Sequence, residues 1–313
     1  MDFPTDLSEF DRFFPDETAC ERYLEKLRWP DGFVCPWCGD RRSAWRTARG
    51  SLLCQGCKRR VSATAGTIFE GTRKPLKLWF IAAWEITAHK YGANAVNVKR
   101  MVGVKSYKTA WAWLHKFRRA MVVPGREKLS GVVEIDETYV GGEEQGAKGR
   151  YTARTAIVAV AVELKDRGYG RIRLQRISDV KTTTLEAFVR ASVVQGAVCR
   201  TDAWTGYRNL SRFGYEHEVI NQSASPDPAH VLMPGVHRVA SLLKRWLLGT
   251  FQGAVSKDHL NYYLDEFTFR FNRRGFSSRG LLFYRLIQQA VQTENTSTDD
   301  LFIGTGRGIS ATG

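Results

Sequence analysis

Four cysteines, arranged as Cys35-Pro36-Trp37-Cys38 and Cys54-Gln55-Gly56-Cys57, constrain this chain more than any other feature. Two residues between cysteines let both thiolates of a pair face one ion from a tight turn, and two such turns complete a tetrahedral site. The fifteen residues between the pairs fall within the zinc range for this arrangement. A redox dithiol needs one pair, not two. A closed site of four thiolates is structural, so one Zn²⁺ per chain is expected to fold residues 31–66, a segment too small for its own core. Cys20 and Cys199 stand alone, which points to metal binding in a reducing compartment and away from a disulfide framework. No apolar run approaches the roughly 20 residues of a membrane span, so no membrane partner is expected.

Charge is distributed unevenly around this unit. The formal charge is +15, and between Arg41 and Arg126 nineteen Lys/Arg face two carboxylates, Glu70 and Glu85. The first thirty residues are instead acidic. A basic block on a chain with strong apolar patterning points to a polyanion partner. Arg59 and Arg60, beside the second cysteine pair, either contact DNA phosphates or form a solvated face.

The apolar periods divide the chain further. Residues 1–30 read as a helical lead-in. A helix is expected over Pro75–Lys90, and two more over 94–120 with a break at Val102-Gly103-Val104, so residues 67–125 form a helical region. Its last two helices have the length of a helix-turn-helix; a plain helical hairpin is the alternative. Lys105, Lys108, Lys116, Arg118 and Arg119 are placed on the polar side of the second helix as DNA contacts. After Pro124-Gly125 the period changes to strands: Val132–Ile135, Ala156–Val162 and Arg171–Ile177. A helix through Val193 follows, with Thr183 and Glu186 spaced as a capping box, and then a strand over Ala197–Thr201. Further helices are expected at Trp204–Leu210, Val236–Leu248, Asp258–Phe271 and Leu281–Val291. The order is α/β: a three-strand meander joined through a crossover to a parallel strand. Residues 126–292 form this domain, and 293–313 a flexible tail.

Two strands of this domain end in acids, within Glu134-Ile135-Asp136-Glu137 and Thr201-Asp202-Ala203-Trp204, and His237 follows on a later helix. Phosphoryl transfer on DNA needs an activated nucleophile and charge stabilisation on the attacking and leaving oxygens; two Mg²⁺ ions about 3.5–4 Å apart provide both. Asp136 and Asp202 would hold them rigidly, though an aspartate after a strand is also a common turn residue or helix cap. Glu137 should point to the face opposite Asp136; Glu134 shares the face of Asp136 but lies a full strand repeat from the strand end.

The chain resembles the DDE transposases of bacterial insertion sequences that carry an N-terminal zinc ribbon before a ribonuclease-H-like catalytic domain. The resemblance spans roughly residues 15–275. It rests on the four-cysteine ribbon, Glu134-Ile135-Asp136-Glu137-Thr138-Tyr139-Val140-Gly141-Gly142, Thr201-Asp202-Ala203-Trp204-Thr205-Gly206-Tyr207, Ser241-Leu242-Leu243-Lys244-Arg245, and Tyr262 through Arg274. It implies a ribonuclease-H-like mixed sheet flanked by helices, with Asp136 and Asp202 as ligands of catalytic Mg²⁺ or Mn²⁺. The family's third acid falls on His237. A neutral imidazole can bind a divalent ion without adding charge and suits Mn²⁺ better than Mg²⁺; the alternatives are a surface or capping histidine, with Asp265 or Glu266 as the acid. Lys244, seven residues after His237, shares its helix face and is placed at the DNA with Arg245. The resemblance implies a cytoplasmic, nucleoid-associated transposase that binds double-stranded transposon ends and target DNA as a homodimer or higher oligomer. A repressor without catalysis and a structure-selective nuclease on the same fold are its rivals.

Overall fold

The computed structural model describes residues 3–47, 50–123, 125–141, 155–221, 224 and 226–303. The chain forms two compact units. One holds Met1–Val123 with Phe276–Gly313, the other Pro124–Gly275.

The first unit begins with α1 (Leu7–Phe13) and α2 (Glu17–Arg28), each capped by an aspartate: Asp6 accepts from the Glu9 amide and Asp16 from the Ala19 amide, both at 2.8 Å. Three two-residue strands, β1 (Trp45–Arg46), β2 (Leu52–Leu53) and β3 (Arg60–Val61), pair antiparallel as the ribbon. Helices α3 (Leu76–Ala88), α4 (Ala95–Val102) and α5 (Tyr107–Ala120) follow. Asn94 caps α4, and left-handed Gly103 (φ 68°) ends it, which makes the break before α5. The first turn of α3 is capped from a distance. Both carboxylate oxygens of Glu17 accept, from the amides of Leu76 (2.6 Å) and Lys77 (3.2 Å).

The second unit is built on a five-stranded sheet. Its strands are β4 (Val132–Val140), β5 (Ala156–Leu164), β6 (Tyr169–Ile177), β7 (Val198–Asp202) and β8 (Glu216–Ile220), in the order β6-β5-β4-β7-β8. The β6-β5-β4 meander is antiparallel, and β7 and β8 add in parallel through crossovers. Helix α6 (Thr182–Ser192) covers one face with the core of Val133, Ile135, Leu185, Phe188 and Tyr207. The other face packs Val158, Val160 and Val162 against α8 (Pro234–Phe251) and α9 (Leu260–Asn272), after a short α7 (Ala229–Leu232). A mixed sheet with this strand order and helices on both faces is the ribonuclease-H-like architecture. Side chains on α9 satisfy the outer edge of β6: Asn272 accepts from the Ile172 amide and Asn261 from the Arg176 amide.

Helices α10 (Arg279–Ala290) and α11 (Thr298–Ile303) complete the chain. They revise the expected boundary at 292, because α10 packs on α2, α3 and α5 in the first unit. Phe283 lies among Phe10, Phe14, Phe80 and Trp84, with ring centroids 5.7–5.9 Å away. Each buried ring of this kind contributes about 1.5–3 kcal/mol, so the first unit draws α10 in to complete its core. The expected flexible tail also differs. Residues 298–303 are helical, Leu301 is fully buried, and Phe302 stacks on Trp111 of α5 at 4.6 Å. Residues 304–313 lie outside the described residues.

Two smaller expectations change, and one strand, β8, was not expected. The helix at Trp204–Leu210 is instead two 3-10 turns, Thr205–Tyr207 and Leu210–Phe213. The Thr183–Glu186 capping box does not form at the start of α6; Asp179 accepts there from the Thr184 hydroxyl and the Lys181 amide. Strand β8 lacks an alternating apolar pattern because it is an edge strand with Glu216 and Val219 exposed.

Candidate metal centres

Each cysteine pair forms the same knuckle. The Gly39 amide donates to the Cys35 carbonyl and the Lys58 amide to the Cys54 carbonyl, at 2.9 and 3.1 Å. Cys35 N–H in turn bonds the Asp40 carbonyl, and Cys54 N–H the Arg59 carbonyl. Both knuckles therefore need a left-handed residue after their second cysteine. Gly39 (φ 70°) supplies one without strain, and Lys58 (φ 58°) does not. Lys58→Gly should accordingly stabilise the ribbon by up to about 1 kcal/mol, read as a raised Tm of zinc-loaded protein; an unchanged or lowered Tm would refute the strain.

The four sulfurs lie within 4.8 Å of one another, with Cys35 and Cys57 at 3.7 Å and Cys38 and Cys54 at 3.6 Å. Tetrahedral Zn–S bonds of about 2.3 Å put sulfurs about 3.8 Å apart, so the donor set fits zinc. Arg59 and Arg60 are exposed beside it, and the Arg59 guanidinium lies over exposed Trp37 at 5.3 Å.

In the sheet unit, β4 and β7 pair in parallel up to Ile135 and Thr201, so the next positions on the two strands are Asp136 and Asp202. Asp136 lies across from Val160 and Glu134 across from Val162, which places both acids on the face covered by α8. Each aspartate is held by a neighbouring amide: Asp136 Oδ1 accepts from Glu137 N at 2.7 Å, and Asp202 Oδ1 from Trp204 N at 3.1 Å.

His237 occupies the first turn of α8. Its Nε2 is buried with no hydrogen-bond partner, an orphaned polar atom. Burial lowers its pKa, and the neighbouring His230 and Lys244 lower it further. Lys244 and Arg245 are exposed two turns on. Asp265 and Glu266 are buried on α9, which packs on β6, and Glu266 is paired with Arg270 at 2.9 Å. His217 bonds the Thr201 hydroxyl at 2.9 Å. Among the described residues, the cysteines are the only three or more His, Cys, Asp or Glu with ligand atoms within 4.8 Å of one another. Asp136, Asp202 and His237 therefore do not all close to that distance.

Two acids beside the aspartates do more than their sequence positions promised. Glu137 points to the α6 face and accepts from the Tyr207 hydroxyl. Burial raises its pKa to about 7, with Asp136 and Asp202 adding negative charge and the Tyr207 bond opposing. Both residues sit inside the motifs that carry the aspartates, so their pairing ties the turn after Asp202 to β4. Glu134 is fully buried and its Oε2 accepts from Val236 N at 3.0 Å.

In the helical region, Lys105 and Lys108 are exposed at the start of α5. Lys116 and Arg118, expected on a DNA-facing side, are buried. Lys116 Nζ donates to Asn295 Oδ1 at 2.7 Å, and Arg118 pairs with His115 at 3.0 Å. Burial removes both cations from the candidate DNA surface, Lys116 against the segment before α11. Arg119 is half-buried. Among the described residues, no helix is long and apolar enough to cross a membrane.

Comparison with known proteins agrees with this arrangement. Residues 15–60 match the family model of a transposase zinc-ribbon domain, and residues 128–272 that of an ISXO2-like transposase domain. A Halobacterium salinarum protein described as an uncharacterized protein in transposable element ISH50 is 28% identical over 278 residues, covering 82% of this chain and 91% of that protein. The BIV integrase catalytic core is 18% identical with a TM-score of 0.32, covering 48% of this chain and 89% of that one. The Mos1 strand transfer complex is 13% identical with a TM-score of 0.30, covering 71% and 78%. At those scores the fold assignment rests on strand order and the two family matches, which together span more than half of the chain. The chain belongs to the insertion-sequence transposases that place a zinc ribbon ahead of an ISXO2-like, ribonuclease-H-like transposase domain.

Proposed function

We propose that this transposase binds the terminal inverted repeats of its own element, cleaves a strand at each end and joins the freed 3′-OH to target DNA. The observation that carries the reading is the β4–β7 register, which sets Asp136 and Asp202 side by side on the face under α8. Divalent ions, Mg²⁺ or Mn²⁺, supply nucleophile activation and charge neutralisation when bound. Asp136, Asp202 and the unpartnered His237 Nε2 would hold them. Exposed Lys244 and Arg245 bind the DNA backbone near the scissile bond, and Arg59, Arg60, Lys105 and Lys108 contribute phosphate contacts from the ribbon and the helix-turn-helix-like region. A homodimer or larger assembly brings two ends together.

A labelled end fragment incubated with the protein and Mg²⁺ or Mn²⁺ tests this. Cutting and joining are expected, with Mn²⁺ preferred because one donor is an imidazole. His237→Ala should lose activity, and His237→Glu should shift the preference toward Mg²⁺. Wild-type rates in His237→Ala would show that the third ligand lies elsewhere. The second reading, a DNA-binding repressor without catalysis, is favoured by the histidine in place of an acid and by donors that do not close to 4.8 Å. Binding without cutting or joining under either metal would select it.

A further inference from the structure

The first turn of α8 has no acceptor of its own. Its N-cap residue, Met233, offers no side-chain hydrogen bond, and Pro234 at N1 has no N–H. The amides that follow sit in the core, where an unpaired donor is costly. Glu134, 102 residues away on β4, fills the gap: its Oε2 accepts from Val236 N at 3.0 Å, and the Gly235 amide also bonds the carboxylate. A second observation is independent of that bond. A Cβ built on Gly235 would lie 2.7 Å from Glu134 Oε2 and 3.2 Å from Leu164 Cδ2, so the carboxylate occupies the space that any other residue would need. The same device appears in the first unit, where Glu17 caps α3 behind Pro75.

The placement of this cap matters for the site. Val236 is followed directly by His237, and Glu134 precedes Asp136 by two residues on the same strand face. One strand therefore carries both a candidate metal carboxylate and the anchor of the helix that presents the candidate third ligand. We propose that Glu134 is a positioning residue: by capping α8 through the Val236 and Gly235 amides, it sets His237 relative to Asp136 and Asp202. Glu134 does this through the helix, with Oε2 committed to amides. The proposal rests on the reading of those three residues as the metal site.

Three variants of the full chain test it: Glu134→Ala, Glu134→Gln and Gly235→Ala. Glutamine keeps a carbonyl acceptor for the amides and loses the charge. Gly235→Ala ordinarily favours a helix, so a loss there reports displacement of the cap. Hydrogen exchange of the Gly235–Val239 amides is read first, without DNA. Glu134→Ala and Gly235→Ala should each lose about five- to tenfold protection there, and Glu134→Gln should retain most of it. The Mn²⁺ concentration for half-maximal strand transfer should then rise about 10–100-fold in the first two variants, the usual cost of losing a group that orients a metal ligand, with rescue in Glu134→Gln. Wild-type protection in Glu134→Ala would overturn the proposal. So would loss of strand transfer in Glu134→Gln with protection intact, which would make Glu134 act by its charge. If the wild-type protein neither cuts nor joins, the transposition reading fails, and direct Mn²⁺ binding, weakened in parallel with exchange protection or unaffected by it, still decides the positioning role.

Discussion

Asp136→Asn and Asp202→Asn should each abolish cutting and joining while leaving end binding within about twofold. Asparagine is the informative change because it keeps the local bonds. The side-chain oxygen can still accept from Glu137 N in one case and Trp204 N in the other, so only the charge is lost. Positioned divalent ions contribute several kcal/mol of transition-state stabilisation, and each ~1.4 kcal/mol is tenfold in rate, so a loss on the order of a thousandfold or more is expected. The measurement is strand transfer on a labelled end, alongside a binding isotherm and a melting curve. Equal loss of binding and activity would sink the assignment of both aspartates to the chemical step. Wild-type activity in either variant would do the same for that residue alone.

Removing zinc should have the largest effect on structure. The ribbon's strands are two residues long, and its buried core is Cys35, Cys54 and Val61, with Trp29, Phe33 and Cys57 packed at the side. Too little apolar surface is buried there to offset the cost of ordering the segment. Structural zinc contributes about 10–16 kcal/mol of apparent binding free energy in small zinc domains, comparable to the whole stability of an ordinary domain, about 5–15 kcal/mol. Cys38→Ser, or chelation of the wild type, should therefore unfold residues 33–61 and release one zinc per chain. Metal analysis and hydrogen exchange report the two events. Strands β4–β8 have their own core and should keep their protection. Full protection of the ribbon in Cys38→Ser would overturn the structural role of the metal. Loss of ribbon order with end binding unchanged would separate the ribbon from DNA recognition.

Much of the site was legible in the residues themselves, for local reasons. The cysteine spacing encodes the knuckles, because two intervening residues suffice to turn two thiolates toward one ion. The apolar runs before Asp136 and Asp202 encode strands, β4 buried through Val133–Ile135 and β7 with one buried face. Their parallel pairing followed from the helix between them. The placement of Glu137 on the far face followed from strand alternation, and the structure agrees. Edge strand β8 escaped because a strand with one solvated side and charged residues has little pattern to read. The boundary near 275 escaped because α10 is amphipathic in the same way wherever it docks, and its sequence does not say which core it completes.

The amino-acid sequence by itself determined the ribbon, most helical and strand segments, and Asp202 at the end of its strand, since each is set by ligand spacing or by a period within a short stretch; Asp136 lies instead at the middle of β4, which runs on to Val140. Only the tertiary structure decided which polar side chains serve the surface and which serve the interior. Lys116 and Arg118 read as solvent-facing cations on a helix until a segment 179 residues after Lys116 brings Asn295 against it. Glu134 reads as a neighbour of the site until the N-terminus of α8, 102 residues on, needs an acceptor. In both cases, distant residues determine whether a charge is solvated, paired or used as a cap, because desolvation depends on what is packed above the group and not on its neighbours in the chain.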